Sequence, residues 1–227
     1  MTVAPDGAAD NERFNALLSD RPRRHFPSGH RLFHEGEPPV QAFFMHSGLV
    51  KLVKTAEDGT ESVIEFRGPG AVIGERSVLD QLPRMTSAVA AVRTSVTPVS
   101  RDQLVEHIRG DTELALTMLT TLSGVVRRSV GHVLDLSVGD AESLVATRLM
   151  ELADDAMFES IRVDRGGTID IEMPMSQREL ASWAGVSHRS ATNVLRHLRD
   201  ENLISTSRHH LEIRDPIALA KRCVATS

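Results

Sequence analysis

The chain has 227 residues, 41% of them hydrophobic and 25% charged, and a formal net charge of −5. That length suffices for one large or two modest cores, and the sequence contains no run of about 18 or more apolar residues that would suggest a membrane span. Its single cysteine, Cys223, excludes an internal disulfide and any four-cysteine zinc or iron–sulfur site.

Charge is unevenly spread. Residues 176–227 hold eight Lys/Arg against five Asp/Glu, a balance of +3, which leaves −8 for the other 175 residues. A basic reader of nucleic acid attached to an acidic sensor would show this asymmetry. The start, MTVAPDGAADNERF, lacks the basic-then-apolar order of a signal peptide, so a cytoplasmic location is expected.

In chain order, residues 1–10 predict a disordered tail, and Glu12 to Ser19 predicts a short helix with Phe14, Leu17 and Leu18 on one side. The next ninety residues are glycine-punctuated. Apolar runs at Ala42–Met45, Leu49–Val53, Ser62–Phe66 and Ala88–Val92 are separated by turn signals such as Asp58-Gly59 and Pro69-Gly70. Many short strands with regular turns predict a barrel or sandwich. Around Asp102 the pattern becomes helical. From Thr112 to Leu136, Ala115, Leu119, Leu122, Val126, Ser129, Val133 and Leu136 recur four and three apart. That 3.5-residue period suits a dimeric coiled-coil seam, and equally a single helix lying on the protein's own core.

After Gly139, a helix over Ala141–Asp154 is expected behind Asp140 as its cap, then a hairpin of Ile161–Asp164 and Thr168–Met173 around Arg165-Gly166-Gly167. Met175 to Ser205 predicts two short amphipathic helices and a tight turn. Ser176 and Glu179 form a capping-box pattern, Leu180, Ala181 and Ala184 share a face, Gly185 suits the turn, and Ser187 caps the second helix. The second helix turns Ala191, Val194, Leu195 and Leu198 inward and leaves His188, Arg189, Ser190 and Asn193 outward near its start. This is the layout of a DNA-reading helix-turn-helix, although a generic helical hairpin also satisfies it. Leu203–Thr206 and Leu211–Arg214 flank Ser207–His210 as a wing.

The chain lacks a P-loop lysine motif, a nucleophile elbow and HExxH, so no enzyme is expected. Gly68-x-Gly70-x-x-x-Gly74 misses the dinucleotide spacing by one residue and reads as a turn between strands. His25, His30, His34 and His46 fall in the strand-rich segment and are expected to be core or solvent-facing histidines rather than haem ligands.

From about His25 onward the chain resembles the Crp/Fnr family of bacterial transcription regulators. Three segments carry the resemblance: SGLVKLVKTAEDGTESVIEFRGPGAVIGE from Ser47 to Glu75, LPRMTSAVAA from Leu82 to Ala91, and the helix-turn-helix. It implies an α+β chain: a tail and short helix at 1–19, a cyclic-nucleotide-binding-like jelly roll (the β-roll sensor) at 20–110, a long dimerisation helix at 111–138 and a winged helix-turn-helix at 139–227. The effector would be cyclic AMP or another cyclic nucleotide, and the partners a second copy, RNA polymerase and a palindromic duplex operator, with no membrane. The dimer residues would be Ala115, Leu119, Leu122, Val126, Val133 and Leu136.

In this family's cyclic AMP readers a Gly-Glu pair and an Arg-Ser pair enclose the sugar-phosphate. Gly74, Glu75 and Arg84 match, but Met85 replaces the serine and cannot hydrogen-bond a phosphate oxygen through its side chain; Thr86 is adjacent. Arg76 and Ser77 stand where small or apolar residues are usual, and Ser129 is the one stand-in on the long helix for the residues that hold the base. An Arg84–Glu75 ion pair in an empty pocket is the competing reading. Altered or absent cyclic-nucleotide dependence is therefore expected ahead of a true cyclic AMP receptor, and a sensor module that binds no DNA is the alternative of another class.

On the DNA side, His188, Arg189, Ser190 and Asn193 would read bases, while Ser176, Gln177, Ser187 and Arg196 would hold phosphates. Arg189 stands where the family's cyclic AMP regulators carry glutamate, which exchanges an acceptor for a donor. An operator other than TGTGA half-sites follows. A tilt of the DNA domains about Ser137–Asp140 would convey control.

Overall fold

The strand-type runs form two antiparallel four-stranded sheets in the computed structural model, which describes Leu18 and residues 21–224. The expected tail at 1–10 and all but Leu18 of the Glu12–Ser19 helix lie outside the described residues; Leu18 is helical and buried. One sheet orders β1 (Arg24–Phe26), β8 (Thr94–Ser100), β3 (Gln41–Ser47) and β6 (Val72–Ile73). The other orders β2 (Arg31–Phe33), β7 (Ser87–Ala90), β4 (Val50–Thr55) and β5 (Glu61–Arg67).

Strand β3 explains why Ala42–Met45 is an unbroken apolar run rather than an alternating one. Phe43 and Met45 join Phe33, Val50, Leu52, Ile73, Ala88 and Val96 between the sheets. Ala42 and Phe44 face the other way, onto Val78, Leu104, Leu114 and Met118 from the helices. A strand covered on both faces has no position left for a polar residue.

Those covering helices are α1 (Glu75–Asp80), α2 (Arg101–Gly110) and α3 (Thr112–Val138). Sequence pattern does not mark α1 and leaves α2 without bounds, although α2 opens on a reciprocal capping box: Ser100 Oγ accepts from the Gln103 N–H at 3.3 Å and Gln103 Oε1 from the Ser100 N–H at 3.1 Å. Asp111 breaks the helical run and caps α3, its Oδ1 accepting from the N–H groups of Glu113 and Leu114.

One face of α3 packs on the protein's own core and another carries exposed apolar side chains. Leu114 and Met118 lie in the core, whereas Leu119, Val126 and Val133 of the 3.5-residue stripe are 61%, 62% and 64% exposed. Ala115 and Leu122 are half-buried. The chain divides into two compact units between Arg128 and Ser129, inside α3. Among the described residues no helix is long and apolar enough to cross a membrane.

The second unit continues with α4 (Ala141–Asp154), whose cap Asp140 accepts from the Ser143 N–H at 2.8 Å. A 3₁₀ turn, Ala156–Ile161, takes Ile161 out of the expected strand and buries it. Then come β9 (Arg162–Asp164), β10 (Ile169–Glu172), α5 (Gln177–Trp183), α6 (His188–Asp200), β11 (Ile204–Ser207), β12 (His210–Ile213) and a short α7 (Pro216–Ala220). The two expected hairpins are one sheet, ordered β11-β12-β10-β9, because β10 pairs with β12 through Ile169↔Ile213 and Ile171↔Leu211.

Candidate nucleic-acid interface and effector cavity

The helix-turn-helix is built from local rules. Ser176 Oγ accepts from the Glu179 N–H at 3.3 Å while Glu179 Oε2 accepts from the Ser176 N–H at 2.8 Å, which satisfies two free donors at the start of α5. Gly185, at φ +71°, turns the chain. Ser187 caps α6, its Oγ accepting from the Ser190 N–H at 3.0 Å. Ala191, Val194, Leu195 and Leu198 are buried, so the opposite side of α6 presents His188, Arg189, Asn193 and Arg196 to solvent.

Ser190 differs from the other expected base readers: it is half-buried and its hydroxyl lies 2.8 Å from Ser187 Oγ, so part of its bonding capacity is spent within the cap. Ser176 is exposed, but its hydroxyl also donates to Glu179 Oε2 at 2.9 Å. Gln177 and Ser187 are exposed. The sequence reading passed over Arg178, exposed beside Gln177, and the wing tip, where Arg208 and His209 stand exposed between β11 and β12. Arg199 ties α6 to that wing, its Nη1 donating to Thr206 Oγ1 at 2.7 Å. The basic residues inside the expected turn were the available signal.

In the first unit, Gly74, Glu75, Arg76, Ser77, Arg84, Met85 and Thr86 line one cavity, together with Phe33 and Leu52, which sequence pattern does not single out. Ser129 belongs to the second unit, is exposed on α3 and is not among the lining residues. Arg84 is 4% exposed and turned onto the backbone. Its Nη1 donates to the Gly74 carbonyl at 2.8 Å, its Nη2 to the Gln41 carbonyl, and its guanidinium lies 4.2 Å from the centre of the Phe33 ring. The competing Arg84–Glu75 ion pair is not formed: Arg84 bonds carbonyls, and Glu75 faces Arg76 Nε at 3.8 Å.

Gly74 is required there twice over. Its φ is +76°, and a Cβ would sit 2.3 Å from Arg84 Nη1. Burial pushes the Glu75 carboxyl up, against the pull of Arg67 and Arg76. Arg67, itself buried, pairs with Glu65 at 2.8 Å, and Arg128 of α3 reaches the same carboxylate at 3.5 Å. The cavity volume is about 20 Å³, room for about one water molecule. Of the four histidines, His25, His30 and His34 are exposed and His46 is half-buried, its Nε2 2.7 Å from Thr97 Oγ1.

A strand sandwich with a small cleft, followed by a winged helix-turn-helix with an exposed polar start to its second helix, defines a sensor joined to a DNA reader. The comparisons agree with that class. Residues 23–111 match the cyclic nucleotide-binding domain and residues 145–222 the Crp-like helix-turn-helix domain. The "CRP-like cAMP-activated global transcriptional regulator" of Mycobacterium tuberculosis is 29% identical over 197 residues, 87% of this chain and 86% of that protein. The "Cyclic AMP receptor protein" of Thermus thermophilus is 28% identical over 208 residues, 92% and 91% of the two chains. Among solved structures, FixK2 from Bradyrhizobium japonicum superposes with a TM-score of 0.74 at 23% identity, covering 91% of this chain and 99% of that one, a likeness of fold. With both domains matched in this order, the chain belongs to the Crp/Fnr family of DNA-binding transcription regulators.

Proposed function

We propose that this regulator works in the cytoplasm as a homodimer, joined along the exposed stripe of α3, with two α6 helices reading a palindromic operator. The observation that carries the DNA reading is α6 itself: Arg189 and Asn193 stand exposed over a buried apolar back, and the same unit carries an exposed basic wing tip. Arg189 can fork onto guanine O6 and N7, and Asn193 onto adenine N6 and N7. His188 and Ser190 complete the base-reading set, and Ser176, Gln177, Ser187 and Arg196 hold phosphates. The paired helices would lie about one helical turn, ~34 Å, apart, and RNA polymerase is the downstream partner.

Dimerisation is supported by the apolar exposure of Leu119, Val126 and Val133 on one helix, a stripe that water disfavours. Sedimentation of Leu119→Asp/Val126→Asp is expected to show monomer where the unaltered chain shows dimer.

The effector cavity supports regulation that does not depend on a cyclic nucleotide. Arg84 already bonds two backbone carbonyls, and the space beside it holds about one water. The second reading, a cyclic AMP receptor, draws on the convergence of Glu75 and Arg84 at one cavity and on the cAMP-activated regulator of Mycobacterium tuberculosis that this chain resembles. Titration calorimetry with cyclic AMP and cyclic GMP separates them. No heat is expected; heat that Arg84→Ala abolishes would establish the second. For the DNA reading, gel shifts on duplex with a measured salt slope are decisive, since absence of binding at low salt would leave only a sensor module. Selection from random duplexes is expected to return half-sites other than TGTGA.

A further inference from the structure

A buried charge outside both sites sits where the end of α3 meets the helix-turn-helix. Arg148 of α4 is 7% exposed. Its Nη2 meets Nδ1 of His132 and lies 3.8 Å from Asp135 Oδ2, both on α3; its Nη1 donates to Glu151 Oε1 of α4; and its guanidinium lies 5.4 Å from the centre of the Trp183 ring, the last residue of α5. A second contact joins the same elements. At Gly185, two residues beyond Trp183, a Cβ would fall 2.3 Å from Leu136 Cδ2, so the last turns of α3 rest directly on the turn of the helix-turn-helix. Leu136, read as a seam residue, faces that turn.

A buried guanidinium is costly unless its charge is paired, and here one cation meets residues of three helices. His132 can serve as an acceptor at Nδ1 only while neutral, with its proton on Nε2. The groups facing it are Arg148 on α4 and Asp135 on its own helix, with Glu151 beyond Arg148 and Asp155 beyond Glu151. Burial first, then the Arg148 charge, hold His132 below its ordinary 6.5, while Asp135 pulls the other way. Protonating it would remove the acceptor and set two cations side by side.

We propose that Arg148 is a positioning residue for DNA reading, fixing α5 and its turn against the end of α3, and that His132 makes this grip acid-sensitive. The proposal rests on α6 being the DNA reader. Above the ordinary histidine value the grip is whole. It weakens as pH falls below that value toward the lowered one, because only the neutral ring accepts.

Trp183 is the sole tryptophan and the chain has no tyrosine, so intrinsic emission of the full chain reports this contact without DNA. Emission of the unaltered protein is expected to titrate with a midpoint below 6.5, and that of His132→Asn, which keeps an acceptor but no titration, to stay flat. On the duplex selected by the unaltered protein, affinity is expected to fall about tenfold more between about pH 7.5 and about pH 5.5 than it does for His132→Asn. Arg148→Met, which keeps length but no charge, is expected to bind that duplex about tenfold more weakly at pH 7.5, and Arg148→Lys, which lacks the fork, to recover little. Identical pH responses of the unaltered protein and His132→Asn would overturn the acid switch. Arg148→Met, with melting unchanged, binding as tightly as the unaltered protein would overturn the positioning role. Duplex binding at about pH 7.5 tests the DNA reading by itself, so failure there is distinct from a flat emission titration.

Discussion

The start of α6 and the sensor cavity are both clusters of polar side chains, yet they are at opposite ends of hydrogen-bond accounting. Arg189 and Asn193 stand exposed, and the helix behind them is anchored by buried apolar residues. Arg84 is buried with two nitrogens on the Gly74 and Gln41 carbonyls and its guanidinium beside Phe33. The first site keeps its donors for a partner, whereas in the second Arg84 has given two nitrogens to the chain's own carbonyls, while its buried Nε has no hydrogen-bond partner. A polar motif therefore signals a ligand only when its bonding capacity is still unspent.

The comparison can be broken most severely at Arg84. Arg84→Ala strips buried carbonyls of a charged donor, and unfolding in denaturant is expected to register a loss of about 3 kcal/mol, with operator affinity little changed. A loss of DNA binding without loss of stability would make Arg84 an effector ligand instead. Arg189→Ala should behave in reverse. Operator affinity is expected to fall by about 2 kcal/mol with one base position relaxed, while stability moves by less than about 0.5 kcal/mol. Equal weakening on every duplex would make Arg189 a phosphate contact. Smallest is Ser187→Ala, which removes the α6 cap and also frees Ser190 from its hydroxyl partner; a stability loss of about 1 kcal/mol is expected in thermal melts.

Most of the DNA-reading unit is legible in the sequence because its signals are local. The capping box of Ser176 and Glu179, the turn at Gly185, and the inward set of Ala191, Val194, Leu195 and Leu198 each depend on residues within one or two helical turns. The strand runs of the sensor are legible for the same reason, and so is the assembly of Gly74, Glu75 and Arg84 around one cavity, through the family resemblance. Less visible are α1, whose six residues are too short to show a period, and the joining of two hairpins into one sheet, which needs Ile171 to meet Leu211 across forty residues of chain.

Sequence by itself determined which residues could be polar, apolar, capped or turned, since those choices depend on near neighbours and on the 3.6- and 2-residue periods. Tertiary structure alone decided where the long side chains spend their hydrogen bonds. Arg84 reaches the carbonyl of Gln41, 43 residues away in the chain, and Arg148 gathers His132, Asp135 and the Trp183 ring. An arginine has five donors and a reach of several ångströms, so its role follows from which acceptors the fold brings near it.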